Sequence, residues 1–302
     1  MKTDKKPNFL IIGAMKAATT SLYAYLKEHP EIYLPSLKEP MFFNNIETDN
    51  KKIILKGRAK KKITSFKKYF DLFQNVNDEI AIGEASPGYL YNSNCAKLIH
   101  EHLGGSTKII VIIRQPVNRA YSNFLHARRS GKEDVNKFTI AINEEANRIE
   151  NNWSPLYHYI NQGYYYTQLK KYYEIFPRNN IKVVLFSELT KNKNKYLKEI
   201  CKFLNVNENF NFSKEKKTNV SGVPKGLLGW FVMKLRYYSL LPNIVYSDIL
   251  PKSFISFISK IIYKKPKKLN KKLINELTNK YYKNDILKLE QLISKDLSHW
   301  LK

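Results

Sequence analysis

The run Lys108-Ile-Ile-Val-Ile-Ile-Arg114 constrains the fold more than any other stretch of the chain. An unbroken series of β-branched residues leaves no polar face, so the strand it predicts has to be covered on both sides. That is the situation of a central strand in a parallel sheet with helices above and below. The run ends in Arg114-Gln-Pro116-Val-Asn-Arg119-Ala-Tyr121-Ser122, where Pro116 suits the first turn of a helix continuing to Gly131. A charged side chain at the carboxyl end of such a strand points to function, because ligands of open parallel sheets bind outside those ends. The alternative for Arg114 is a structural pair with a neighbouring carboxylate.

The rest of the first 205 residues repeats this alternation. Strands are predicted at 9–13, 31–34, 80–83 and 181–186, and helices at 22–28, 64–73, 92–102, 135–151, 164–176 and 195–204. Alternating strands and helices imply right-handed crossovers and a mostly parallel sheet. The expected class is α/β, a P-loop-like three-layer fold with a helical C-terminal part.

Phe9-Leu-Ile-Ile-Gly13 leads through Ala-Met-Lys16-Ala-Ala18-Thr19-Thr20-Ser21 into the first helix. Unpaired N–H groups and the positive end of the helix dipole favour an anion there, and Lys16 adds a full charge. The stretch fails the nucleotide P-loop pattern G-x-x-x-x-G-K-[ST], having Ala18 and Thr19 where glycine and lysine belong and its lysine earlier. On the residues alone, a strand-to-helix turn capped by Thr19 or Thr20, with Lys16 solvated, stands equally well. Lys38 and Glu39 lie on a loop bounded by Pro35 and Pro40 and anchored by Phe42 and Phe43, suiting either a site rim or a solvated pair. Glu84 ends a strand at the position of a ligand contact. His126 is a potential base or a packing residue of its helix.

Lys and Arg number 52 against 26 Asp and Glu, a net charge of +26. This favours acidic partners, although a lysine-rich genome explains it equally. Cys95 and Cys201 are the two cysteines, with no disulfide framework or zinc spacing, which fits a reduced cytosolic setting. The N-terminus offers no apolar stretch long enough for a signal peptide or membrane span, so the expected location is cytoplasmic. Residues 216–226 form a basic, turn-rich loop able to close over an anion. Residues 227–263 are apolar and aromatic, followed by Lys264-Lys-Pro-Lys-Lys268. Packed helices are one reading of this part; an interfacial segment on anionic lipid, spanning 227–268, is the sharper one. A last helix is predicted over 272–293. No nucleic-acid motif is present.

Three stretches in this order resemble the PAPS-dependent sulfotransferases, in particular the bacterial and heparan-sulfate-type carbohydrate branch. Gly13 to Ser21 is similar to that family's 5′-phosphosulfate loop, Lys38-Glu39-Pro40-x-Phe42-Phe43 to its second conserved segment, and Ile112 to Ser122 to its 3′-phosphate motif. Weaker similarities at 83–87, 219–225 and 296–300 spread the match along the chain. The resemblance implies one domain over 1–302: an α/β core at 1–205, a loop closing over the donor at 206–226 and a helical extension at 227–302. It implies 3′-phosphoadenosine 5′-phosphosulfate (PAPS) as donor and a carbohydrate or glycolipid acceptor, with no metal.

Residue by residue, it assigns Lys16 to the bridging oxygen of the leaving phosphate and Ala17, Ala18, Thr19, Thr20 and Ser21 to the 5′ end. Arg114 and Ser122 would hold the 3′-phosphate, and Asn219, Ser221, Gly222 and Lys225 belong to the donor-covering loop. Glu39 matches the branch's proposed base, with His126 the competing candidate, and Lys38, Glu39 and Glu84 are assigned to the acceptor side. Two departures stand out. Ala18 replaces a usual glycine, with either a slight shift of the loop or tolerance in a right-handed conformation expected, and Ala85 stands where eukaryotic heparan-sulfate enzymes commonly carry lysine. The competing functions are a divergent P-loop kinase and a non-catalytic protein binding anionic lipid or polysaccharide.

Overall fold

The computed structural model describes residues 5–46, 63–213, 223–237 and 261–302. Five strands, β1 (Phe9–Gly13), β2 (Ile32–Tyr33), β3 (Ala81–Ala85), β4 (Lys108–Ile113) and β5 (Ile181–Leu185), form one sheet in the order β2-β3-β1-β4-β5. Every pairing in it is parallel. Ile109 to Ile113 of β4 and Phe9 to Ile12 of β1 are fully buried, as a strand covered on both faces requires.

The longer helices are α1 (Thr19–Leu26), α2 (Cys95–Leu103), α3 (Pro116–Arg129), α4 (Tyr165–Ile175), α5 (Lys193–Leu204), α6 (Gly226–Tyr237), α7 (Lys271–Tyr281) and α8 (Lys283–Ile293). The chain leaves β1 toward β2 and β3, then crosses to β4 on the other side. The carboxyl end of β1 is therefore the switch point at which a crevice opens.

Two predicted helices are divided. The one expected over 135–151 becomes Phe138–Asn143 and Glu145–Glu150. Its start is delayed because Glu133 turns inward, accepting from Arg148 Nη1 at 2.6 Å, the Tyr159 hydroxyl at 2.6 Å and the Val135 N–H at 3.0 Å. The one expected over 272–293 breaks between α7 and α8 at Tyr282. That fully buried side chain donates to the Ile160 carbonyl at 2.7 Å and lies so close to Gly163 that a Cβ there would stand 2.6 Å from its hydroxyl.

The C-terminal helices are bonded to the core. Gln115 Nε2 donates to Thr278 Oγ1 of α7 at 2.8 Å, and Asp285 of α8 accepts from the Tyr166 N–H at the start of α4 at 3.1 Å. A two-stranded antiparallel ribbon joins β6 (Val223–Pro224) to β7 (Tyr263–Lys264). Residues 206–213 lie at the amino end of the sheet, where the Asn207 and Ser213 N–H groups donate to Glu31 and Glu28. Asn219, Ser221 and Gly222, like 238–260 of the apolar segment, fall outside the described residues.

Candidate active site

The loop after β1 is built from unusual backbone. Lys16 and Ala18 both adopt positive φ, 69° and 70°. Ala18 thus occupies the left-handed region and not the right-handed one expected for it, a conformation in which a Cβ crowds the following carbonyl and glycine fits without cost. Ala18 also stands at the N-cap of α1, where its methyl group makes no capping hydrogen bond. The reading of a turn capped by Thr19 or Thr20 therefore fails, and the helix N-terminus keeps its attraction for an anion. Ala17 and Thr19 are buried, so only their backbone groups are placed to serve a ligand, whereas Ala18, Thr20 and Ser21 are half-buried.

Arg114, at the end of β4, closes this loop from the neighbouring strand. Its Nη1 donates to the Lys16 carbonyl at 3.3 Å, its guanidinium lies 4.6 Å from the centre of the Phe186 ring, and its own carbonyl accepts from the Tyr165 hydroxyl at 2.9 Å. Arg114 and Ser122 share the wall of a cavity of about 1250 Å³, together with Arg129, Phe186 and the basic segment Lys264 to Lys268. That volume exceeds the ordinary range for small-molecule sites and leaves room for a nucleotide. The lysine run was legible in the sequence, but only as the flank of an apolar segment. Its return over Arg114 depends on the ribbon and on Tyr121, whose hydroxyl donates to the Lys267 carbonyl at 2.7 Å. Lys225 is exposed, with its backbone N–H donating to the Ile262 carbonyl at 2.7 Å, and is not part of the cavity wall.

The loop carrying Lys38 and Glu39 is seated on the end of β3. The Glu39 N–H donates to the Ala85 carbonyl at 3.2 Å and the Met41 N–H to Ser86 Oγ at 2.9 Å. Phe42 stacks on Tyr69 at 4.3 Å, and Phe43 meets Tyr89 edge-on at 5.6 Å. Lys38 and Glu39 form an ion pair with both side chains partly open to solvent. Glu84 occupies a different place from the one expected. It is fully buried beneath this loop, receives the Tyr69 hydroxyl on Oε1 at 3.4 Å, and has no hydrogen-bond partner for Oε2 among the described residues. A carboxylate with no exposed surface cannot touch an acceptor. The acceptor-contact assignment of Glu84 is corrected to support of the Glu39 loop.

Charge ties these parts together. Burial is the main cause that lowers the Lys16 ammonium to about 8; Glu39 opposes it, and Arg114, Arg129 and Lys38 add to it. His126, on α3, keeps an exposed edge, and its imidazole is lowered by the protein packed around it and then by Lys16, Lys132 and Arg129, with Glu39 opposing. Burial raises Glu84 to about 7 against the hydroxyls of Tyr89, Ser86 and Tyr69, with Glu39 raising it further. Lys16, Lys38, Glu39, Arg114 and His126 thus form one electrostatic cluster at the switch point. Its cations suit a polyanionic ligand.

Residues 6–226 match the sulfotransferase domain family. The structure is similar to the crystal structure of a sulfotransferase from Alicyclobacillus acidocaldarius, with a TM-score of 0.75 and 28% identity, covering 99% of this chain and 100% of that one. Among curated proteins, the membrane-associated sulfotransferase kil1 of Dictyostelium discoideum is 32% identical over 149 residues, covering 48% of this chain and 29% of that protein. The human bifunctional heparan sulfate N-deacetylase/N-sulfotransferase 3 is 26% identical over 212 residues, covering 70% of this chain and 23% of that protein. The chain spans less than a third of the length of these two relatives.

Proposed function

The chain belongs to the sulfotransferase domain family, and from that premise we propose that it moves a sulfuryl group from PAPS to a hydroxyl or amine of a carbohydrate or glycolipid. The observation that carries this reading is the Lys16 loop: a helix N-terminus with Ala18 at its N-cap, a partly buried lysine, and Arg114 bonded to that lysine's carbonyl. For the donor, loop N–H groups and Lys16 would take the 5′ side, and Arg114 and Ser122, which line the roomy basic cavity, would take the 3′-phosphate.

The donor supplies an activated sulfur whose bond to the bridging phosphate oxygen breaks as the acceptor oxygen or nitrogen bonds to it. Lys16 neutralises charge gathering on that bridging oxygen, an interaction stronger in the transition state than in the ground state. Glu39 takes the acceptor's proton, and Lys38 holds the carboxylate at the rim. Arg114 fixes the donor and the loop together, so the leaving phosphate and Lys16 keep their alignment. His126 is the competing base; with its imidazole lowered to about 4 it is about as basic as an ordinary carboxylate, so the preference for Glu39 rests on its place at the rim beside Lys38.

Related enzymes whose names include heparan sulfate suggest a carbohydrate acceptor, and the net charge of +26 would favour an acidic one. Thermal stability should rise with adenosine 3′,5′-bisphosphate and stay unchanged with magnesium-ATP. The absence of any bisphosphate shift at millimolar concentration would contradict the reading, and a shift with magnesium-ATP alone would favour a kinase.

A further inference from the structure

Helix α6 turns Gly229 and Met233 toward the body and Leu227, Leu228, Trp230 and Phe231 away from it. A Cβ on Gly229 would stand 2.5 Å from the Ile262 carbonyl oxygen, and Met233 is 2% exposed with its sulfur 3.4 Å from the Tyr263 hydroxyl. These two residues, one turn apart, fix which face of the helix meets the body. The opposite face carries Leu227, Leu228, Trp230 and Phe231, which are 88%, 56%, 51% and 55% exposed. Ile261, 42% exposed, lies at the adjoining ribbon. A contiguous patch of large apolar side chains on one exposed helix marks an interaction surface.

Lysines frame this patch. Lys225 precedes α6, and Lys264, Lys265, Lys267 and Lys268 are exposed along the chain leaving β7. The same basic segment lines the cavity with Arg114, so the apolar helix and the cavity share one ribbon.

We propose that α6 docks this protein on an anionic lipid bilayer, with Leu227, Leu228, Trp230 and Phe231 in the headgroup-acyl boundary and the lysines on the headgroups. Tryptophan beside aliphatic residues, with lysine at the edge, is the composition that such a boundary accommodates. A second copy of the chain fits less well, since a two-fold contact would bring like-charged lysine frames together. An acidic polysaccharide would satisfy the lysines but offers no apolar phase to the four side chains. The binding step itself does not depend on the donor reading.

The test uses the full chain and sedimentation with phosphatidylcholine vesicles, with and without phosphatidylglycerol. The wild type is expected to pellet with the anionic vesicles and to bind them roughly tenfold or more tightly than neutral ones, less so at high salt. The double variant Leu227→Gln, Phe231→Gln is expected to lose roughly tenfold or more of that binding with unchanged melting temperature, because both positions are exposed. Failure of the wild type to bind, or equal binding by the variant, overturns the proposal. A wild-type dimer in light scattering that the variant abolishes, without vesicle binding, assigns the patch to a second copy instead.

Discussion

Arg114 Nη1 donates to the carbonyl oxygen of Lys16 across 3.3 Å, so the side chain proposed for the 3′-phosphate also holds the loop proposed for the leaving group. Arg114→Lys keeps a charge but loses both the fork and the planar contact with Phe186. We expect adenosine 3′,5′-bisphosphate to bind roughly ten- to a hundredfold more weakly in isothermal titration, the loss typical of a charged hydrogen bond. We also expect kcat at saturating donor to fall, because the Lys16 loop loses its tie. A rise in donor KM with unchanged kcat would show that the bond to Lys16 has no catalytic consequence.

Ala18, at a φ of 70°, carries a methyl group where the backbone favours glycine. Ala18→Gly removes that crowding and should raise unfolding free energy by roughly 0.5–1 kcal/mol, the balance of relieved strain and greater unfolded-state freedom. Chemical denaturation measures it. A lower midpoint would mean that the loop is not strained at this position.

Lys16, lowered to about 8 in the fold from an ordinary 10.5, binds fewer protons folded than unfolded between those values. Stability therefore rises with pH across that window, and the positive charge is a destabilising feature below it. Lys16→Met should stabilise the ligand-free protein at pH 7 by on the order of 2 kcal/mol, and the difference should vanish above pH 11. Bisphosphate affinity of the wild type should decline as pH rises through about 8. A variant no more stable than wild type at pH 7 would contradict the cost assigned to this lysine.

Glu84 runs the other way in protons. Raised to about 7 from 4.5, it binds more protons folded than unfolded, so its contribution to stability falls as pH rises from 4.5 through 7. Glu84→Gln keeps an acceptor for the Tyr69 hydroxyl and removes the buried charge. Its melting temperature relative to wild type should rise at pH 8 and show little gain at pH 4. The same gain at both values would separate Glu84 from any titration beneath the Glu39 loop.

The sequence and the structure agree most closely where a residue's surroundings come from its own neighbours. The β-branched run of β4 and the apolar run of β1 required burial, and the alternation around them required a parallel sheet. Lys16, Glu39 and Arg114 stand on short segments at strand ends, where local motifs carry them, and Ser122 lies in the second turn of α3. Other features depend on distant packing. The left-handed Ala18 reflects the loop's closure, and Glu84 is buried beside Tyr69, on whose ring Phe42 and Phe43 pack. Nothing near Tyr282 in sequence announces the break that its hydrogen bond to Ile160 makes between α7 and α8. The basic segment after β7 reaches the cavity wall through the pairing with β6 and the Tyr121 hydroxyl on the Lys267 carbonyl.

Sulfuryl transfer itself gives the most direct measurement: mass spectrometry of carbohydrate and glycolipid acceptors incubated with PAPS and either wild type or Lys16→Ala. The account predicts a sulfated product with wild type, equimolar adenosine 3′,5′-bisphosphate, and a rate lower by roughly 10²–10³ for the variant. Product formed at the same rate by Lys16→Ala, or bisphosphate release with no acceptor sulfated across the panel, would contradict it.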